Sequence, residues 1–245
     1  MTEQSAAARR ARERSRPGIG PLSARAALIV LYVVIALVLL GALAFTVHFN
    51  PVLPWDLATT RAVQSVHAGW YDLLMRAVGE PGYPPQIYIL VAWIFVVLWG
   101  AGLKWEAIGH AFATVGIGIV GLIIKIPVDR PRPSPQLVHV INPNLDGGKM
   151  SFTAGHVESY VAIFGFLIFL LIVLGRPSWL RTLEIAFFAF LIALIGISRL
   201  YTGEHWLSDV IGGYLSGSVW LIATIRFYDW GRNRFFVNEP GRRRT

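Results

Sequence analysis

The chain has no cysteine among its 245 residues, which excludes disulfides, thiolate metal ligands and a cysteine nucleophile together. Charge is scarce too. Asp, Glu, Lys and Arg make up only 15% of the chain, against 55% hydrophobic residues that include nine tryptophans, so a soluble fold would run short of polar surface to cover its core. Acid is the scarcer sign, 14 residues against 22 basic ones, for a formal net charge of +8. What the chain does have is long uncharged runs, and these point to a membrane protein.

Ala26 to Val47 is long enough to span a bilayer outright, and Ile87 to Leu103, Ser159 to Gly175 and Val210 to Ile225 lie near the lower limit of roughly 17 to 20 residues. Runs around Ala107 to Ile124 and Trp179 to Ile197 reach that length if His110 and Glu184 sit near their polar ends. All are apolar on every side, unlike the helices of a soluble bundle. The expected fold is therefore all-α, a six-span transmembrane helical bundle over residues 25–228 between basic cytoplasmic tails at 1–24 and 229–245. "WDLATTRAVQSVHAGWYDLLMRAVGEPG", between the first two spans, reads as an additional interfacial helical segment, with an ordered loop as the other reading. The first run is too long and too far from Met1 for a signal peptide, and is read as an anchor.

Basic residues set the expected orientation. Arg9, Arg10, Arg12, Arg14, Arg16 and Arg25 precede the first span, Lys104 lies between the second and third, Arg176 and Arg181 between the fourth and fifth, and Arg226, Arg232, Arg234 and Arg242 to Arg244 follow the sixth. In a six-span chain all of these share one side. The reading is a multi-pass protein of the plasma (inner) membrane with both termini cytoplasmic; the basic balance is a topology signal with some attraction to anionic membrane lipid, and calls for no nucleic acid. Oligomeric state is left open.

Three charged clusters fall on the opposite, outer side: "KIPVDRPRPSP", "SFTAGHVES" and "SRLYTGEHWLSD". Each touches a helix end, so they can meet at one depth, and ionisable residues at a membrane boundary mark a site. In the first, prolines 127, 131, 133 and 135 stiffen the strut that carries Lys125, Arg130 and Arg132. In the second, Gly155 and His156 fall at a helix start, where free N–H groups and the dipole favour an anion. In the third, His205 and Asp209 are four apart and so share a helix face, placing the carboxylate where it can accept the Nδ1 hydrogen and leave Nε2 as a nucleophile. Two histidines and an aspartate also suggest a metal, but Lys125, Arg130, Arg132 and Arg199 would repel a divalent cation and instead suit an oxygen-rich anion, best a phosphate.

These residues make the chain similar to the type 2 phosphatidic acid phosphatase superfamily, whose signature reads K-x6-R-P, P-S-G-H and S-R-x5-H-x3-D. Lys125 to Pro133 gives the first part, Ser198 to Asp209 the third, and "TAGH", Thr153 to His156, stands for the second. The resemblance covers roughly residues 25 to 228. It implies an integral membrane, metal-independent enzyme without cofactor that removes phosphate from a lipid phosphate or diphosphate (polyprenyl diphosphate, phosphatidic acid or phosphatidylglycerol phosphate class) at the outer face. It further implies that His205 becomes a phosphohistidine, Asp209 orients its ring and His156 protonates the leaving oxygen and then helps activate water, while Lys125, Arg132, Arg199 and the Gly155 backbone hold the phosphoryl oxygens. A lipid phosphotransferase with the same intermediate, and a non-catalytic lipid-phosphate binder or transporter, are the alternatives.

The departure lies in the second part, where Ala154 stands in the serine position and Thr153 in the proline position. Losing one neutral hydroxyl bond costs about 1 kcal/mol, and Thr153 or Ser151 could supply the hydroxyl instead. Arg130 matches no family position; it reads as a contact to a second phosphate or headgroup, or as a salt bridge with Asp129 or Glu158. Glu204 is expected to face solvent, since a carboxylate turned to the phosphate would oppose binding. "LVHVINPNLDGGKM" reads as an outer loop forming a headgroup pocket.

Overall fold

A computed structural model of the chain describes residues 24–142 and 149–235. The arginines of the first tail, Arg242 to Arg244, and positions 143–148 of the outer loop lie outside the described residues. Within them the chain is helical, without a strand: α1 (Ala24–Phe49), α2 (Pro54–Gln64), α3 (Gly69–Gly79) with a 3-10 turn at Glu80–Gly82, α4 (Gln86–Gly100), α5 (Lys104–Val128), α6 (Gly155–Leu174), α7 (Trp179–Tyr201) and α8 (Leu207–Phe235). Among the described residues, those up to Ile35 belong to one unit and those from Ala36 to a second, which holds the site.

Five helices, α1, α5, α6, α7 and α8, are long and apolar enough to cross a membrane. The sixth differs from the straight span expected over 87–103. α4 has only 15 residues, about 22 Å of helix, and reaches span length only with α3, to which it is joined across a 61° bend. Pro81, Pro84 and Pro85 explain the bend, because each removes a backbone donor and disfavours helix in the residue before it. The interfacial segment is likewise two helices rather than one. α3 buries Met75 and Val78 and exposes Trp70 and Leu73, the division expected of an amphipathic helix at an interface.

α6 is the most enclosed span, with 56% of its apolar window buried, which accounts for a run that carries no polar face. It packs against α5, α7 and α8. Gly213 and Gly217 of α8 permit a close approach: a Cβ at Gly213 would stand 2.9 Å from the Ala154 carbonyl oxygen, and one at Gly217 would stand 2.9 Å from Val161 Cβ. Small residues at a membrane helix interface let backbones meet in this way. The consequence is positional, because the start of α6 is held against the start of α8. α2 and α3 lie over the same end of the bundle, and α3 is tied down where Tyr160 donates to the Val78 carbonyl at 2.7 Å and Ser198 to the Met75 carbonyl at 2.6 Å.

Candidate active site

The three polar clusters meet where α5 and α7 end and α6 and α8 begin. α5 stops at Asp129, which adopts the left-handed conformation (φ 42°), and the proline-rich strut after it is fixed by a bond from Ser151 N to the Arg130 carbonyl at 2.8 Å. That bond joins the first cluster to the second. Ala154 N donates to the Asp209 carbonyl at 3.0 Å, joining the second to the third.

His205 sits in the turn between α7 and α8, 2% exposed. Its Nδ1 lies 3.5 Å from Asp209 Oδ2 and 3.4 Å from Ser151 Oγ. On the other edge of the ring, Arg132 NH1 is 3.4 Å from Nε2; a guanidinium can only donate, so this contact fits the tautomer with hydrogen on Nδ1. Burial is the main force lowering the His205 pKa to about 4, with Arg132 and Lys125 adding to it and Asp209 opposing. The imidazole is therefore neutral over the ordinary pH range, with a lone pair at Nε2 beside a cation.

Asp209 is wholly buried and fully engaged. Oδ2 accepts from Ser151 Oγ at 2.5 Å and Trp206 N at 2.9 Å, and Oδ1 pairs with Arg130 at 2.5 Å. Lys125, in the last turn of α5, donates to the Thr153 carbonyl, and a Cβ built on Gly155 would lie 3.9 Å from its Nζ. The ammonium thus stands at the first turn of α6, whose N-cap, Ala154, offers no side-chain acceptor to the free N–H groups.

His156 and Arg199 flank Tyr83 of the α3–α4 connection. The His156 ring packs edge-on at 4.7 Å, and the Arg199 guanidinium carbon is 5.0 Å from the same ring. A Cβ on Gly82 would collide with the imidazole, so only glycine admits His156 in this position. His156 Nε2 and Arg199 Nε are buried without a hydrogen-bond partner among the described residues. Buried polar atoms left open in this way are available to a ligand's polar atoms.

The structure thus gathers Lys125, Arg132, Gly155, His156, Arg199, His205 and Asp209 at one end of the bundle. Thr153 is there too, but its hydroxyl donates to Glu158 and the Ser151 hydroxyl donates to Asp209, so neither replaces the serine hydroxyl missing at Ala154. Two further expectations are corrected. Glu204 does not face solvent: it is 1% exposed, pairs with Arg199 at 2.9 Å and accepts from the Tyr83 hydroxyl, so its charge is neutralised before any phosphate arrives. Arg130 bonds neither Asp129, which pairs with Lys149 at 2.7 Å, nor Glu158, which accepts from Ser216 at 2.7 Å; it pairs with Asp209 and with Asp56 of α2. Sequence reasoning did not single out Asp56 or Tyr83, since neither belongs to the three clusters. Among the described residues, no group of three or more His, Asp or Glu could hold a metal ion.

Comparison with known proteins bears on the family and the fold. The description of the PAP2 superfamily matches residues 106–233. Phosphatidylglycerophosphatase B of Bacillus subtilis (strain 168) is 24% identical over 200 residues, which cover 79% of this chain and 92% of that protein. The crystal structure described as the first transmembrane PAP2-type phosphatidylglycerolphosphate phosphatase, also from Bacillus subtilis, superposes with a TM-score of 0.68 at 23% identity, over 83% of this chain and 98% of the other. Aquifex aeolicus LpxE gives a TM-score of 0.55 at 20% identity, over 71% and 96%.

Proposed function

The chain belongs to the PAP2 superfamily, and from that premise we propose that it is an integral membrane phosphatase hydrolysing a lipid phosphate or diphosphate through a phosphohistidine. The observation that carries this reading is the neutral, buried His205, with Asp209 3.5 Å from Nδ1 and Arg132 3.4 Å from Nε2. In the first step Nε2 attacks phosphorus, a P–N bond forms, and the P–O bond to the lipid breaks as His156 gives its proton to the leaving oxygen. In the second step water attacks phosphorus and gives a proton to His156, and the P–N bond breaks to release phosphate. Charge on the three equatorial oxygens is met by Lys125, Arg132, Arg199 and the N–H groups at the start of α6.

A phosphoryl centre at the helix ends suits a substrate whose tail stays in lipid and whose headgroup lies at the interface. The ends of α5, α7 and α8 that carry Lys104, Arg181, Arg232 and Arg234 lie at the opposite end of the bundle, which supports an outward-facing site by the positive-inside rule. The Bacillus subtilis matches are named for phosphatidylglycerophosphate, and that lipid leads a panel that also includes phosphatidic acid and polyprenyl diphosphate.

Phosphate release from each lipid by detergent-purified protein, with a chelator present, tests the reading. His205→Ala should lower turnover by at least about 1,000-fold. Turnover that survives the substitution removes His205 as nucleophile, and a requirement for added divalent cation removes the metal-free mechanism. Phosphoryl transfer to a second lipid without free phosphate would identify a phosphotransferase.

A further inference from the structure

Asp56 lies on α2, outside all three polar clusters, yet it is wholly buried. Its Oδ2 pairs with Arg130 NH2 at 2.7 Å and accepts from Ser208 Oγ at 2.7 Å, while Oδ1 accepts from Ser208 N at 2.8 Å. Arg130 spends every guanidinium nitrogen inside the protein. Nε donates to the Pro51 carbonyl at 2.9 Å, NH1 to Ser208 Oγ at 2.6 Å and Asp209 Oδ1 at 2.5 Å, and NH2 to Asp56. Its fork is therefore not available to a phosphate, in contrast to Arg132 two residues later.

A buried triad of this kind is a poor device for stability, because desolvation of the three charges offsets most of their attraction and apolar residues of similar volume do as well. What it does supply is geometry. Arg130 immobilises one oxygen of Asp209, and Asp56 immobilises both Arg130 and the first turn of α8 on which Asp209 stands. The other oxygen, which also accepts from Ser151 Oγ and Trp206 N, faces His205 Nδ1 at 3.5 Å. We infer that Asp56 and Arg130 are positioning residues that set the rotamer of Asp209 and, through it, the ring of His205, a role that rests on the reaction proposed above. α2 is then part of the catalytic machinery rather than a cover over the bundle.

The test is a double-substitution cycle on the full-length, detergent-purified chain, reading kcat and KM for a lipid phosphate and thermal unfolding in parallel. Asp56→Asn should lower kcat by about 10- to 100-fold while KM stays within about twofold, because the phosphate ligands are untouched. In an Asp209→Asn background the same substitution should cost less than about twofold, since residues acting through one another are not additive. An equal cost in both backgrounds, a change confined to KM, or an unchanged kcat overturns the inference. If Asp56→Asn is not recovered folded, Arg130→Lys takes its place in the cycle, keeping the charge but losing the fork, with the same expected pattern. Full activity in Asp209→Asn overturns the reaction reading and the clamp with it, whereas loss in Asp209→Asn beside full activity in Asp56→Asn overturns the clamp alone.

Discussion

Glu204 Oε2 lies 2.9 Å from Arg199 NH1, with both side chains sealed from the surface. The carboxylate beside the proposed nucleophile therefore belongs to the proposed phosphate site, where it spends its charge on a cation. Tyr83 bonds both partners, so Arg199 is held as a fixed fork with its Nε still open. Asp56 and Asp209 do the same for Arg130. A site this rich in cations is tolerable in a buried setting because acids stand beside them, and an incoming phosphate has to compete with those acids.

Glu204→Gln separates the two consequences. Removing the acid leaves the Arg199 charge buried without compensation, at a cost of about 3 kcal/mol or more in stability. The same change makes Arg199 a stronger anion ligand, so inorganic phosphate should inhibit several-fold more strongly. Thermal unfolding and a phosphate inhibition series check the two effects. An inhibition constant that does not move places Glu204 outside the field of the bound phosphate.

His156→Gln should depend on the leaving group. A lipid alkoxide needs a proton as it departs, so turnover of a monoester such as phosphatidic acid should fall by about 100- to 1,000-fold. An aryl phosphate, whose phenoxide leaves unaided, should lose much less in the first step. Equal losses for both substrates would assign His156 to binding rather than to proton transfer.

The pH dependence of stability follows from His205. Its pKa is lowered from the ordinary 6.5 to about 4, mainly by burial. The unfolded chain then takes up this proton before the folded one does. The stability tied to the neutral ring is complete above about pH 6.5, declines as pH falls through the interval between the two values, and is lost below about 4, a change on the order of 3 kcal/mol. His205→Asn should lack this component. Unfolding midpoints of the two proteins between pH 4 and 7 should therefore diverge at the top of the range and converge at the bottom.

Much of this was legible in the sequence, for identifiable reasons. Lys125, Arg132, His156, Arg199, His205 and Asp209 stand at fixed spacings beside helix ends, and a helix end carries its residues to a known depth. Asp56 is different. It matters only because α2 lies across the mouth of the bundle and turns one face onto Ser208 and Arg130, which is a tertiary fact with no local signature. Arg130 and Glu204 depend on contacts of the same kind, since Asp56 comes from α2 and Tyr83 from the α3–α4 connection. Pro81, Pro84 and Pro85 bend the chain between α3 and α4, and hydropathy alone does not separate one bent span over 69–100 from a short straight one.

Ala154 offers the sharpest test of how sequence departure maps onto chemistry. It is the N-cap of α6, fully buried, and provides no side-chain acceptor to the first turn. A serine there would have two uses for one oxygen: accepting from the N–H of His156 or Val157 as a cap, and donating its hydrogen to a phosphoryl oxygen. The cap alone contributes about 1 kcal/mol, which should raise the unfolding temperature by a few degrees whether or not substrate is present. The donated bond is worth about another 1 kcal/mol but only with phosphate bound, so kcat/KM should rise about fivefold. Thr153→Ala gives the contrast. Its hydroxyl is committed to Glu158, so stability should fall by about 1 to 3 kcal/mol while the kinetics of the folded fraction change little. A gain in both stability and kcat/KM for Ala154→Ser means that the start of α6 already has the geometry of a phosphate cradle and lacks one donor; a gain in stability alone means that the phosphate lies nearer Lys125 and Arg132 than the helix end.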